Sequence, residues 1–363
     1  MNKKLITSQK KGLFSIICCV LFWGFSFISI KIAIAVFPPM SLGMLRFAIA
    51  LVFLYIIKRK LAPDEKLRLK DIPVLAAAGI TGVTLYFFFE NNGIALISAS
   101  EASIAIGSIP ALIMITDWLS AKIKKRIARE TSLQDARETF VAVQRLQDAR
   151  ETSLQDARET FVAVQRLQDA KDNSTGPQTG DSETQKPISL LKRQWLGCLV
   201  SIAGVWLVAG VSFALSGSIL GYIYMTGAAF SWVTYSFITR TLFAQRSAIY
   251  IVFWQSLAGF ICFIPFAAME FKNWGEPSAE IIVHLLFLAV FCSAIGHWCY
   301  VMAMEGLSVS ISGIFLNIIP VVTVVAGFLV LGERLTLLQW LGAALVVFGV
   351  CMATYKSNKQ LNV

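Results

Sequence analysis

The stretch QWLGCLVSIAGV at residues 194–205 returns as QWLGAALVVFGV at residues 339–350, with six of twelve positions identical. The copies begin 145 residues apart. Each carries two glycines seven residues apart, Gly197 with Gly204 and Gly342 with Gly349, so both glycines of a pair share one helix face. Such small residues let neighbouring helices approach closely in a membrane. The repetition poses the question of what larger unit is being used twice.

Composition places that unit in a bilayer. Of 363 residues 56% are hydrophobic and only 15% charged, against roughly 25% charged in soluble domains. The chain reads as ten apolar runs, roughly 13–35, 41–57, 73–93, 99–119, 195–211, 218–239, 248–268, 281–302, 309–331 and 336–354. Runs of this length span about 30 Å as helices, so the expected fold class is an all-α membrane protein with ten transmembrane helices. The first run follows four lysines but is too long for a signal peptide and lacks a small-residue cleavage site, and is read as a retained helix.

Orientation follows from the basic residues of the short connections. One side receives Lys3, Lys4, Lys10 and Lys11, six cations in 58–70, the Lys122–Arg126 cluster, Arg240, Arg246, Lys356 and Lys359; the other receives Lys272 and Arg334. Both termini are therefore expected to be cytoplasmic, in the plasma (inner) membrane. The net charge of +10 is explained by this asymmetry and by anionic lipid headgroups rather than by nucleic acid. The seven cysteines all sit within apolar runs without a Cys-x-x-Cys pair and are read as packing residues.

Five spans precede Ser212 and five follow it, and two more matches link the halves. Trp23–Lys31 (WGFSFISIK) falls on Trp232–Arg240 (WVTYSFITR), and Ser98, Ser100 and Pro110 fall on Ser308, Ser310 and Pro320. Because five is odd, the second half must enter the membrane from the opposite face. Two inverted five-helix repeats are a hallmark of secondary transporters, which bind substrate between the halves near the midplane.

The SASEASIAIGSIP of 98–110 and the long motif from Pro320 through Gly332-Glu333-Arg334 to Gln339-Trp340-Gly342 resemble the EamA branch of the drug/metabolite transporter superfamily. The resemblance covers nearly all of 13–127 and 188–354, and implies a carrier of small metabolites, often an exporter. The first half departs from the pattern: Ile123 stands where Glu333 is expected, and about 65 residues are inserted before Gln194. The insert holds RETSLQDARETFVAVQRLQDA at 129–149, repeated unchanged at 150–170. Such identity marks a recent duplication or an engineered insertion. Three heptads allow a helical segment, the following DNSTGPQTGDSETQ has linker composition, and 128–187 is expected to be a dispensable cytoplasmic insert. The organisation is thus 1–127 with spans one to four, the insert, 188–212 with span five, and 213–363 with spans six to ten.

Polar residues within spans are the functional candidates. Glu90 lies about 27 Å along the third helix, counted from Ile72; facing a cavity it can bind a cationic substrate or carry a proton, and at the interface it would be a passive partner. His297, in span eight, is the second proton-coupling candidate; its ordinary role would be a packed, hydrogen-bonded ring. Asn317 precedes Pro320, and Pro110 and Pro320 free the carbonyls of Ile106 and Leu316, which opens a polar patch or merely kinks the helices. Trp23, Trp232, Tyr235 and Tyr300 are candidates for substrate-binding aromatic walls. Lys31 and Arg46 are expected to snorkel to the headgroups, and Glu101 to sit at the outer mouth.

No cofactor and no metal are expected, since His284 and His297 are the only histidines and no P-loop is present. The expected partners are a small-molecule substrate, membrane lipids and a coupled proton, with a homodimer left open and nucleic acid excluded. An efflux carrier working by alternating access is favoured; the alternative is a membrane-embedded enzyme or sensor, for which the chain offers neither a nucleophile–base set nor a signalling domain.

Overall fold

A computed structural model describes residues 3–152, 188–208, 218–243, 245–331 and 336–354. Within them the chain is helical and without strands. Two compact units are formed, Met1–Ile115 with Leu191–Val363, and Thr116–Leu190. Gly332, Glu333, Arg334, Ser212 and most of the second copy of the 21-residue repeat lie outside the described residues.

The helices are α1 (Lys3–Ala33), α2 (Pro39–Leu61), α3 (Ile72–Gly79), α4 (Tyr86–Leu96), α5 (Ala99–Ile106), α6 (Ile109–Thr152), α7 (Ile188–Val208), α8 (Ile219–Arg240), α9 (Ala248–Glu270), α10 (Ala279–Phe287), α11 (His297–Leu307), α12 (Val309–Phe315), α13 (Ile318–Leu331) and α14 (Leu337–Thr354). A π-helical segment, Ile80–Leu85, joins α3 to α4, and a second, Leu288–Gly296, joins α10 to α11. Among the described residues eight helical stretches are long and apolar enough to cross a membrane. Helices α7 and α8 stand outside that set although they are 21 and 22 residues long.

The irregularities occur at matching places. The π segments lie 210 residues apart within the third and eighth apolar runs. Runs four and nine each break one turn before their proline, at Gly107-Ser108 and at Leu316-Asn317. Ser98 caps the N-terminus of α5, with Glu101 completing a capping box, and Ser308 caps α12. Two halves that deviate from regular helix at the same points share one backbone plan.

Two helix ends are met by charged side chains from other helices. Glu270 accepts from the Met40 and Ser41 amides at 3.3 and 2.7 Å, placing a carboxylate on the N-terminus of α2. Lys31 Nζ donates to the Ile94 and Ile97 carbonyls at 2.6 and 2.9 Å, at the C-terminal end of α4. Lys31, expected to snorkel, is exposed, and its ammonium also serves these orphan carbonyls. At the opposite, basic end, Arg246 Nε donates to Asp71 Oδ2 at 2.6 Å and the Tyr250 hydroxyl donates to the same oxygen at 3.0 Å. Glu65 accepts from Ser247 Oγ at 3.1 Å beside them, so the 62–71 and 241–247 connections are tied together.

The opening repeat finds its explanation in α7 and α14. A Cβ on Gly197 would lie 2.6 Å from the Gly349 carbonyl oxygen, and one on Gly204 would lie 2.8 Å from that of Gly342. The first glycine of each copy meets the second of the other, so the two helices run antiparallel in backbone contact. Gly349→Leu should prise them apart and cost about 1–3 kcal/mol. The check is the temperature at which detergent-solubilised protein leaves its monodisperse gel-filtration peak, which should fall for Gly349→Leu and hold for Gly275→Ala, where the nearest atom to a new Cβ is 3.6 Å away.

Candidate functional site

Residues that flank the two prolines and the two π segments line one cavity. Ile106 and Ile109 from the break before Pro110, and Leu316 and Ile319 from the break before Pro320, form one wall; α1 adds Trp23, Ser26 and Phe27, α2 adds Arg46, α4 adds Tyr86, Phe87 and Glu90, and α8 and α11 add Trp232 and His297. The enclosed space is about 390 Å³ when the part continuous with the outside is included.

A π segment shifts the carbonyl register of its helix, and here the displaced carbonyls take side-chain donors from other spans. Trp23 Nε1 donates to the Cys292 carbonyl at 3.1 Å, and His297 Nδ1 lies 3.4 Å from the same oxygen. In the other half Ser231, next to Trp232, donates to the Thr81 carbonyl at 2.7 Å. Glycine within or ending each π segment admits a ring: a Cβ on Gly296 would meet Trp23 Nε1 at 2.6 Å, and one on Gly82 would overlap the Tyr235 ring.

The rings form a continuous cluster. Trp23 and Trp232, equivalent in the two halves, meet edge to face with centroids 5.0 Å apart. His297 packs edge-on against both at 5.4 and 5.6 Å and against Phe87 at 5.9 Å. His297 Nε2 is buried without a hydrogen bond. Tyr235 and Tyr300 lie behind the cavity wall, against Trp232 at 4.9 and 5.1 Å, with their hydroxyls paired to Gln255 and Ser236.

Among the residues singled out in the sequence, Trp23, Glu90, Trp232 and His297 line the cavity, while Tyr235, Tyr300 and Asn317 do not. Asn317 turns away, its Nδ2 donating to Ser201 Oγ at 2.6 Å. The Leu316 carbonyl, freed by Pro320, accepts from the Ile319 amide at 3.0 Å, so the break is closed by local backbone bonding and its wall is apolar. Glu101 completes its helix cap and accepts from the Tyr222 hydroxyl at 2.9 Å. Glu90 is 3% exposed and its Oε1 accepts from the Tyr86 hydroxyl at 2.7 Å.

Arg46 is the residue that sequence reasoning misplaced. Rather than reaching the headgroups it is 2% exposed, its guanidinium carbon 4.4 Å from the Phe87 ring centre and its Nε donating to Ser293 Oγ at 3.2 Å. Its position seven residues into α2, about 10 Å of helix, lies within the length that a snorkelling side chain covers. Only the packing of Phe87 and Ser293 around it decides the direction. Among the described residues no group of three or more His, Cys, Asp or Glu stands close enough to hold a metal.

The profile of the EamA-like transporter family matches residues 10–127 and 219–355. The chain belongs to that family. Its relatives include a protein of Archaeoglobus fulgidus named an uncharacterized transporter, 24% identical over 93% of this chain and 96% of that one. YvbV of Bacillus subtilis, also named an uncharacterized transporter, is 22% identical over 94% of this chain and 90% of its own. The inner membrane transporter YedA of Escherichia coli is 27% identical over 46% of this chain and 54% of its own length. A solved crystal structure superposes with a TM-score of 0.63 at 17% identity, covering 95% of this chain and 98% of the other, and shares the fold. The protein is accordingly a multi-pass membrane protein.

Proposed function

We propose that the protein is a secondary transporter that exports a small metabolite or drug by alternating access, through ten spans arranged as two inverted repeats. The observation that carries this reading is the single cavity in which Trp23 and Trp232, equivalent residues of the two halves, touch. Equivalent residues meet only near a pseudo-two-fold axis, and a site on that axis sees the same surroundings when the halves exchange conformations. The paired π segments and proline breaks are the bistable elements such an exchange needs.

Glu90 is the proton carrier in this account. It is buried, faces the cavity, and among the described residues has one protein donor, the Tyr86 hydroxyl on Oε1, so its second oxygen is left for a proton or a substrate. Aromatic walls supply stacking and apolar contact, which suits an amphipathic cargo. Both termini lie on the cytoplasmic side, as the basic connections require.

Two experiments test this. In inverted vesicles screened across a metabolite panel, a pH gradient should drive accumulation by wild type but not by Glu90→Gln, while gradient-free exchange persists in both. Wild-type pH dependence in the Gln variant removes Glu90 from coupling and leaves His297 as the next candidate. For orientation, an impermeant thiol reagent outside intact cells should label single cysteines placed in 270–280 and spare those in 62–68; labelling of both segments contradicts the inverted arrangement.

A further inference from the structure

Arg46 is a cation that the transport reading leaves unused. It lies on α2 within the bundle, faces the same cavity as Glu90, and is nine-tenths and more buried. Taking a guanidinium out of water is expensive unless each of its donors finds a partner. Phe87 covers one flat face and Ser293 takes Nε, but Nη1 is buried and makes no hydrogen bond. The hydrogen bond given to Glu90 comes from Tyr86 instead.

The Nη1 side of the guanidinium fork is thus an unsatisfied cationic donor of the cavity, with the neutral Trp232 Nε1 a second donor beside it. Its geometry matches a planar oxyanion, which two parallel N–H···O bonds would hold. With Glu90 carrying its proton, one guanidinium balances a monoanion and falls short of a phosphate dianion. We propose that the exported substrate carries a carboxylate and that Arg46 is the residue that selects it, with the apolar remainder of the substrate against Trp23 and Trp232. Ser293 and Phe87 act as positioning residues that fix the fork. The inference rests on the transporter reading for the cavity's role, and it adds the chemical class of the cargo.

The test is calorimetric titration of the purified full-length protein with acetate, phenylacetate and indole-3-acetate, each beside its uncharged amide, and with benzylphosphonate. At least one acid should bind about tenfold or more tightly than its amide, as a charge-assisted bidentate contact requires. Arg46→Gln should level the pair, and Arg46→Lys, which keeps the charge and loses the fork, should retain part of the preference. If the Gln variant does not fold, the wild-type comparison and the Lys variant decide. Equal binding of every acid and its amide by wild type overturns the proposal, as does an acid preference that survives in Arg46→Gln. Tighter binding of the phosphonate than of phenylacetate overturns the choice of carboxylate. Vesicles that accumulate an uncharged or cationic substrate equally with wild type and Arg46→Lys would sink the Arg46 assignment and leave the transporter standing. Acid-selective binding without transport of any panel member would do the reverse.

Discussion

The hydrogen bond from Trp23 Nε1 to the Cys292 carbonyl joins the first helix of one half to the π segment of the other, and the cavity depends on it. In an apolar surrounding a carbonyl displaced from the helical register must find a donor within the protein. Here the indole supplies it, and in doing so is held with one edge on Trp232 and another on His297. Gly296 is the condition for this contact, since any side chain there would occupy the indole's place. A bond of this kind is worth only about 1 kcal/mol net in place, but without it the indole N–H is left bare and the carbonyl keeps only the longer contact to His297 Nδ1. The bond thereby ties α1 to the π segment 288–296 beside Trp232.

The same economy of donors shapes the charges. Lys31 and Glu270 are consumed in closing helix ends, and Asp71, Arg246 and Tyr250 in tying two connections at the basic end. The cavity brings together three side chains with a buried polar atom that makes no hydrogen bond among the described residues, Arg46 Nη1, Trp232 Nε1 and His297 Nε2, with Glu90 beside them. Lys31, Glu270 and Asp71 are engaged in holding helix ends and connections, whereas Arg46 and Glu90 face the cavity. The cavity is thus where a buried guanidinium, a buried carboxyl group and a buried imidazole stand together.

Much of this plan was legible in the sequence. Apolar runs of the right length gave the helices, and the Gln-Trp-Leu-Gly repeat pointed to two helices that turn out to pack glycine against glycine. Trp23 and Trp232 could be matched by position, and they touch. The π segments could not be read, because a one-residue slip of the hydrogen-bond register leaves the apolar pattern of residues 80–85 and 288–296 unchanged. Arg46 was misread because its depth of about 10 Å is within reach of either water or the core. Asn317 was read toward the cavity, yet one broken turn rotates it to Ser201; its direction is set by tertiary packing alone.

The account's central claim is that the two ends of the bundle open in alternation around one fixed site. Electron–electron double resonance measures this directly, with spin labels at Lys66 and Gln245 on the basic end and at Ala35 and Glu276 on the opposite end, in a background without reactive native cysteines. All four positions except Lys66 and Gln245 belong to the end held by Glu270 and Lys31, so the two label pairs report the two ends separately. On passing from alkaline to acid buffer, the account predicts that one pair's distance distribution lengthens while the other shortens, and that Glu90→Gln holds both at a single setting. Distributions that stay fixed at both ends, or that lengthen together, would contradict it.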